Sequence, residues 1–330
     1  MEILEESRLV RALHLAFDFS WTQWLALGPR IKSGELNPFS TTIFRPWRTL
    51  ESLAPKSLEE AFSIVEKTKI VALTPLNPNY PKALLDQAHI PSVVYLLGQE
   101  IPDARSLVAI VGTRMPSRFG VEVAPIIARV VAEAGLGIAS GLARGIDTLA
   151  HRSSLEKGAY NLAILGSGME RLYPKENQNL VQEIIQAGGT VISQFPPQAA
   201  PHPTHFPRRN KLLAALTAGT FVVEGSRASG ALITGRNSLE LGRSVVVFTQ
   251  DFRSDFGKGA IELILAGAHP SSGVEEGLEA IARPWGGKLS ALRERAPIPA
   301  KESFDAFLAR TGLDCRMALI AYKSVGKRPA

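Results

Sequence analysis

Leu107-Val-Ala-Ile-Val-Gly-Thr-Arg114 decides how the rest of the chain reads. An apolar run rich in β-branched residues stops at Gly112, and Arg114 follows at once. Such a run, closed by glycine, is expected to be a buried parallel strand leaving a sheet at its carboxyl end. Ligands of open α/β sheets bind just outside those ends, where an arginine is placed to meet an anion. The pattern recurs at Ser140-Gly-Leu-Ala-Arg-Gly-Ile-Asp147, at Leu165-Gly-Ser-Gly168 and at Val223-Glu-Gly-Ser-Arg227. Four such turns in one series point to a single edge built for phosphate.

Outward from Leu107, strands and helices alternate. Strands are expected at 107–111, 137–140, 161–165, 190–195, 220–223 and 244–248. Helices are expected at about 120–134, 147–157, 177–187, 210–218, 230–241 and 257–265. A long proline- and histidine-rich loop, Pro196 to Arg209, interrupts the series. Alternation of this kind predicts an α/β fold with an extended, doubly wound, mainly parallel sheet of Rossmann-like type over residues 101–270. Residues 1–100 read as a separate, small, mostly helical unit. It has a helical pattern over 10–27, a capping-box helix over 57–67 (Ser57, then Glu60), and strands at 70–73 and 93–98. Residues 271–330 read as a proline- and glycine-rich linker and a short helical tail at 303–310 and 315–322. That tail is too short for a complete helix-turn-helix, so a remnant of one and a docking tail both stay open.

The 330 residues can bury a sizeable core. Mean hydropathy is close to zero and no apolar run approaches the ~20 residues of a membrane span, so neither membrane insertion nor a membrane partner is expected. The first residues, with Glu2, Glu5 and Glu6, do not resemble a signal peptide. One cysteine, Cys315, precludes an internal disulfide and fits a reducing, cytoplasmic location. Charge is uneven. Residues 1–104 hold 10 Lys/Arg against 12 Asp/Glu, residues 105–270 hold 17 against 12, and the remainder 10 against 7. The basic excess over the α/β region favours a polyanionic partner.

The candidate site residues follow from these turns. Gly112, Thr113 and Arg114, with Ser117 at the next helix start, combine converging backbone N–H groups with a bidentate donor. Ser140, Gly141 and Arg144 form a second seat, with Asp147 placed to cap the following helix and His151 one turn on as a packing residue. Gly166 and Gly168 form a third. His202-Pro-Thr-His205-Phe-Pro-Arg-Arg-Asn-Lys211 adds Phe206, Arg208, Arg209, Asn210 and Lys211: cations for phosphates and an aromatic on which a base could stack. Ser229, Gly230 and Thr234 open a further helix, and Glu224 reads as a ligand of loop amides rather than a base. The histidine pair has no third ligand in view, so no metal is expected, nor any other cofactor. No P-loop, dinucleotide fingerprint, Gly-x-Ser-x-Gly or paired metal-binding carboxylates are found. A binding protein rather than an enzyme is therefore expected. The rival is a nucleotide-cleaving phosphoribohydrolase-like enzyme with Glu224 as its carboxylate, although the Gly-Gly-x-Gly-Thr pattern of such hydrolases is absent.

Taken together, the motifs resemble the DNA-processing protein A (DprA/Smf) family over about residues 73–269. They are Leu76-Asn-Pro-Asn-Tyr-Pro81, Tyr95-Leu-Leu-Gly98, Val111-Gly-Thr-Arg114, Ser140 to Asp147, Leu165 to Gly168, Tyr173-Pro174, Phe206-Pro-Arg-Arg-Asn210, Ser229 to Thr234, Gly242-Arg243, Leu263-Ile264 and Gly267-Ala268. Gln194, Thr249-Gln250 and Ile261 depart from the family's usual residues. The resemblance implies a Rossmann-like domain that binds single-stranded DNA in a basic pocket, behind a SAM-like helical N-terminal domain. It also implies a homodimer that loads the RecA recombinase in natural transformation.

Overall fold

The computed structural model describes residues 70–286, apart from 76, 86, 88–90, 249 and 252. The helices expected before residue 70 and after residue 300 lie outside the described residues. The strands are β1 (Val71–Leu73), β2 (Val94–Gly98), β3 (Leu107–Val111), β4 (Gly137–Ser140), β5 (Asn161–Leu165), β6 (Thr190–Ser193), β7 (Gly219–Val222), β8 (Ser244–Phe248) and β9 (His269–Ser271). The helices are α1 (Arg118–Glu133), α2 (Ile146–Glu156), α3 (Gln178–Gln186), α4 (His205–Ala215), α5 (Gly230–Glu240), α6 (Asp255–Leu265) and α7 (Val274–Ala282).

Among the described residues all nine strands form one sheet, in the order β1-β2-β6-β5-β4-β3-β7-β8-β9. From β6 to β9 neighbouring strands are parallel, whereas β1 and β2 add on antiparallel, β2 against β6. The expected α/β fold with a mainly parallel sheet is what the chain adopts. The chain winds from β3 out to β6, then returns to β7 on the other side of β3. The strand order therefore reverses between β3 and β7.

β3 shows why the sheet is double-faced. Every residue of it is buried. Leu107, Ala109 and Val111 pack with Leu212, Leu213, Leu232 and Leu263 of α4, α5 and α6. Val108 and Ile110 point the other way, into Ile127, Val131, Ile146 and Leu278 of α1, α2 and α7. Alternate side chains on a strand face opposite sides, so a continuous apolar run satisfies two helical layers at once.

Three differences from the sequence-based reading bear on the site. The sheet does not stop at residues 100 and 270: β1 and β2 extend it on one side, and β9 with α7 on the other, where a linker was expected. α7 buries Val274, Leu278 and Ile281, so its glycine-flanked segment is core and not connector. α4 begins at His205, not at Asn210. Pro207 sits in its first turn, where a missing N–H breaks no helical bond, so proline there opens a helix instead of prolonging the loop.

Candidate nucleic-acid interface

The turn after β4 is the tightest piece of backbone at the carboxyl edge. Leu142 adopts φ 56°, left-handed and rare for a branched side chain, and Gly145 follows with φ 73°. Several contacts over-determine the turn. Leu142 is fully buried. Asp147, in the first turn of α2, turns its carboxylate back on the loop and accepts from Gly141 N at 3.0 Å and Ala143 N at 3.2 Å. Asn177 Nδ2 donates to Leu142 O at 2.9 Å, and Thr148 Oγ1 to Ala143 O at 2.7 Å. Strain of this kind persists only where surrounding contacts hold it, and it clusters at ligand sites.

This turn forms one wall of a small cleft, partly open to solvent, lined by Arg114, Gly141, Ala143, Arg144, Tyr173, Pro174, Phe206 and Arg209. Arg114 lies over the Phe206 ring, guanidinium carbon 5.6 Å from its centre. Tyr173 meets Phe206 edge-on at 6.0 Å and is itself exposed. Arg209 forms the floor. It is only 6% exposed, and its Nη1 donates to Ile164 O at 3.0 Å while Nε has no hydrogen-bond partner. Among the described residues it makes no ion pair. Burial pulls its guanidinium below the ordinary range; Asp147 opposes that shift and the charge of Arg114 adds to it. A Cβ at Gly141 would fall on the Arg209 guanidinium, so the glycine lets that side chain lie against the turn. At the mouth, Arg144 forms an ion pair with Glu176, both about half exposed.

The remaining sequence-derived candidates go elsewhere. The turn at Gly112, Thr113 and Ser117 is filled from within: Glu224, 2% exposed, accepts from Ser117 N at 2.9 Å and also from Ser117 Oγ. That seat at the start of α1, and with it the crevice between β3 and β7, holds the chain's own carboxylate. Ser140 Oγ donates to Ile110 O at 2.6 Å. Gly166 packs under Phe206, and Gly168 N donates to Ala199 O at 2.8 Å, so this turn grips the 196–199 loop. Ser229 caps α5, Thr234 Oγ1 donates to Gly230 O at 3.3 Å, and Asn210 Nδ2 donates to the same carbonyl at 3.0 Å. Helical periodicity divides the Phe206–Lys211 run: Phe206 and Arg209 face the cleft, Asn210 is buried, and Arg208 and Lys211 are exposed. Arg208 lies over Phe195 at 5.2 Å.

His151 is fully buried and meets Asn161 Oδ1 at 2.9 Å through Nδ1; burial lowers its pKa, so it packs as a neutral residue. Ala143, Tyr173, Pro174 and Glu176 were not singled out as site residues. The signal for Tyr173 is an aromatic-proline pair five residues after the glycine turn at Gly166–Gly168, and for Glu176 only an acid in a basic neighbourhood. Among the described residues no group of three or more His, Cys, Asp or Glu could hold a metal, and no helix is long and apolar enough to cross a membrane.

Fold and cleft thus define a class: an extended Rossmann-like α/β protein with an arginine-and-aromatic pocket beside its topological switch point. Residues 71–282 match the family model described as DNA recombination-mediator protein A, and the chain belongs to that family. It is 31% identical over 256 residues to the Protein Smf of Escherichia coli K12, covering 78% of this chain and 68% of that one. Of two further curated relatives, the chain spans only 50% and 54%. The X-ray structure of DNA processing protein A from Streptococcus pneumoniae aligns with TM-score 0.61 and 27% identity, over 84% of this chain and 94% of that one. A Helicobacter pylori structure, described as showing the single-stranded DNA binding mode of DNA processing protein A, aligns with TM-score 0.58 and 25% identity, over 66% of this chain and 98% of that one.

Proposed function

We propose that this chain binds single-stranded DNA through the Arg114–Arg144–Phe206–Arg209 cleft. One observation carries the reading: a buried arginine that makes no ion pair among the described residues forms the floor of a cleft, beneath an aromatic pair. An unpaired buried cation is costly unless an anion completes it. The floor therefore suits a phosphate, and the Phe206–Tyr173 edge suits a planar base. An extended single strand offers both together, whereas paired bases in a duplex have no free face to stack. The single-stranded DNA named for the H. pylori relative supports the same reading.

On this reading the sequence-derived role follows. The chain acts as a recombination mediator that loads RecA onto single strands in natural transformation, as a cytoplasmic homodimer and not as an enzyme. Membership of a recombination-mediator family supports the first part. Exposed Ile261 and Leu265 on α6 offer an apolar face for self-association. The rival hydrolase reading is disfavoured, because Glu224 is spent on Ser117 and does not line the cleft.

Titration of single- and double-stranded oligonucleotides across a salt series tests the binding. Preference for the single strand, falling steeply with salt, is expected; equal affinity for the duplex would sink it. RecA filament assembly on single strands with and without the protein tests loading, and light scattering tests the dimer.

A further inference from the structure

Three carboxylates of the chain already sit at basic or amide-rich points of the carboxyl edge. Asp147 binds the turn after β4, Glu224 binds the start of α1, and Glu176 binds Arg144. They differ in burial. Asp147 is 5% and Glu224 2% exposed, and each accepts two hydrogen bonds from the loop it organises. Removing Asp147 would strand the buried Gly141 N–H, and Glu224 is itself closed off from solvent, so neither carboxylate is available for exchange. The Glu176 side chain is 49% exposed, and among the described residues its one side-chain cation is Arg144, 57% exposed, on the lining of the cleft. An exposed ion pair has little net stability and breaks readily.

We propose that Glu176 is an exchangeable internal anion, which occupies Arg144 in the free protein and is displaced from it by a DNA phosphate. The inference rests on the DNA-binding reading of the cleft. Arg144 in its paired state presents no net charge, so a weakly binding anion gains little by entering. A strand that also engages Arg114, Phe206 and Arg209 supplies the free energy to break the pair. Glu176 thereby acts as a specificity-determining residue: it raises the threshold for small anions and leaves the polymer favoured. The hydrogen bond and charge of Arg144 hold the Glu176 carboxyl below its ordinary range, so the competitor stays ionised at neutral pH.

The test is a double-mutant cycle in the full-length protein, with an oligo-dT strand as ligand and thermal melting as control. Glu176→Gln is expected to tighten binding about two- to five-fold at low salt, with the gain shrinking at high salt. In an Arg144→Ala background the same substitution should produce no gain. An equal gain with and without Arg144 would show that Glu176 repels the strand at large and does not gate Arg144. No gain in either background, with Phe206→Ala still weakening binding, would overturn this inference and leave the cleft reading standing. If Phe206→Ala and Arg114→Ala both bind as well as the parent, the cleft reading fails and this inference with it.

Discussion

On one side of β3, between β3 and β7, the carboxyl edge is closed. On the other, over β4 and β5, it is open. Both sides have the same parts: a parallel strand, a glycine turn, a helix start and an arginine. On the closed side Glu224 reaches over from the end of β7 and takes the donors of Ser117. On the open side Asp147 takes the turn's amides, yet Arg209 stands beneath them with no carboxylate of its own among the described residues. Topology selects the edge, since helix starts and loop amides converge there. Which part of the edge accepts a ligand depends on where the chain's own acids fall short. The strand-order reversal, the expected place for a ligand, is satisfied internally, and the cleft lies one strand away.

The largest expected effect that would break this contrast comes from Arg209. Replacing it with methionine should weaken single-strand binding about 10- to 150-fold, the range for a hydrogen bond to a charged group. The same change should leave the melting temperature equal or higher, because an apolar side chain replaces a buried cation that has no ion pair among the described residues. Loss of both stability and binding would mean that the cation holds the fold instead of awaiting an anion. Phe206→Ala comes next: if the ring stacks a base, affinity falls about 5- to 150-fold with little change in stability. On the closed side the expected signature is inverted. Glu224→Ala removes two hydrogen bonds to a charged group and should cost about 1.5–3 kcal/mol in denaturant unfolding, while DNA affinity stays within two-fold where the fold persists. A large loss of affinity there would place the ligand in the crevice after all.

Smaller effects sharpen the boundary. Each phosphate contact on a single strand contributes about −0.7 to the slope of log K against log salt, so Arg114→Ala should flatten that slope by about 0.7. Arg118→Ala, one turn away on the closed side and paired with Glu122, should leave it unchanged. Equal flattening by both would spread the DNA path across the whole edge.

The alternation of apolar runs with glycine turns made the parallel sheet legible, because β-branched runs such as 107–111 can be buried on both faces only between helical layers. Its limits were less legible. β9 is three residues long and includes a proline, and α7 follows Ser272-Gly273, so local composition resembled a linker while burial made it core. The α4 helix starts five residues before the expected Asn210 because Pro207, inside a proline- and histidine-rich stretch, takes a first-turn position that local composition does not mark.

For the site, the sequence by itself determined which residue types reach the carboxyl edge: glycines where chains cross closely, arginines after β3 and β4, and the Phe206–Lys211 run. These are local properties, set by strand ends and turn chemistry. Only the tertiary structure decided which of them act together. Phe206 and Arg209 share a face through the helical turn of α4, Arg208 and Lys211 do not, and Glu224 reaches Ser117 across 107 residues of chain. A carboxylate cancels a cation or fills an amide seat only at hydrogen-bond range. That distance is set by the packing of the sheet and is invisible in the order of the residues.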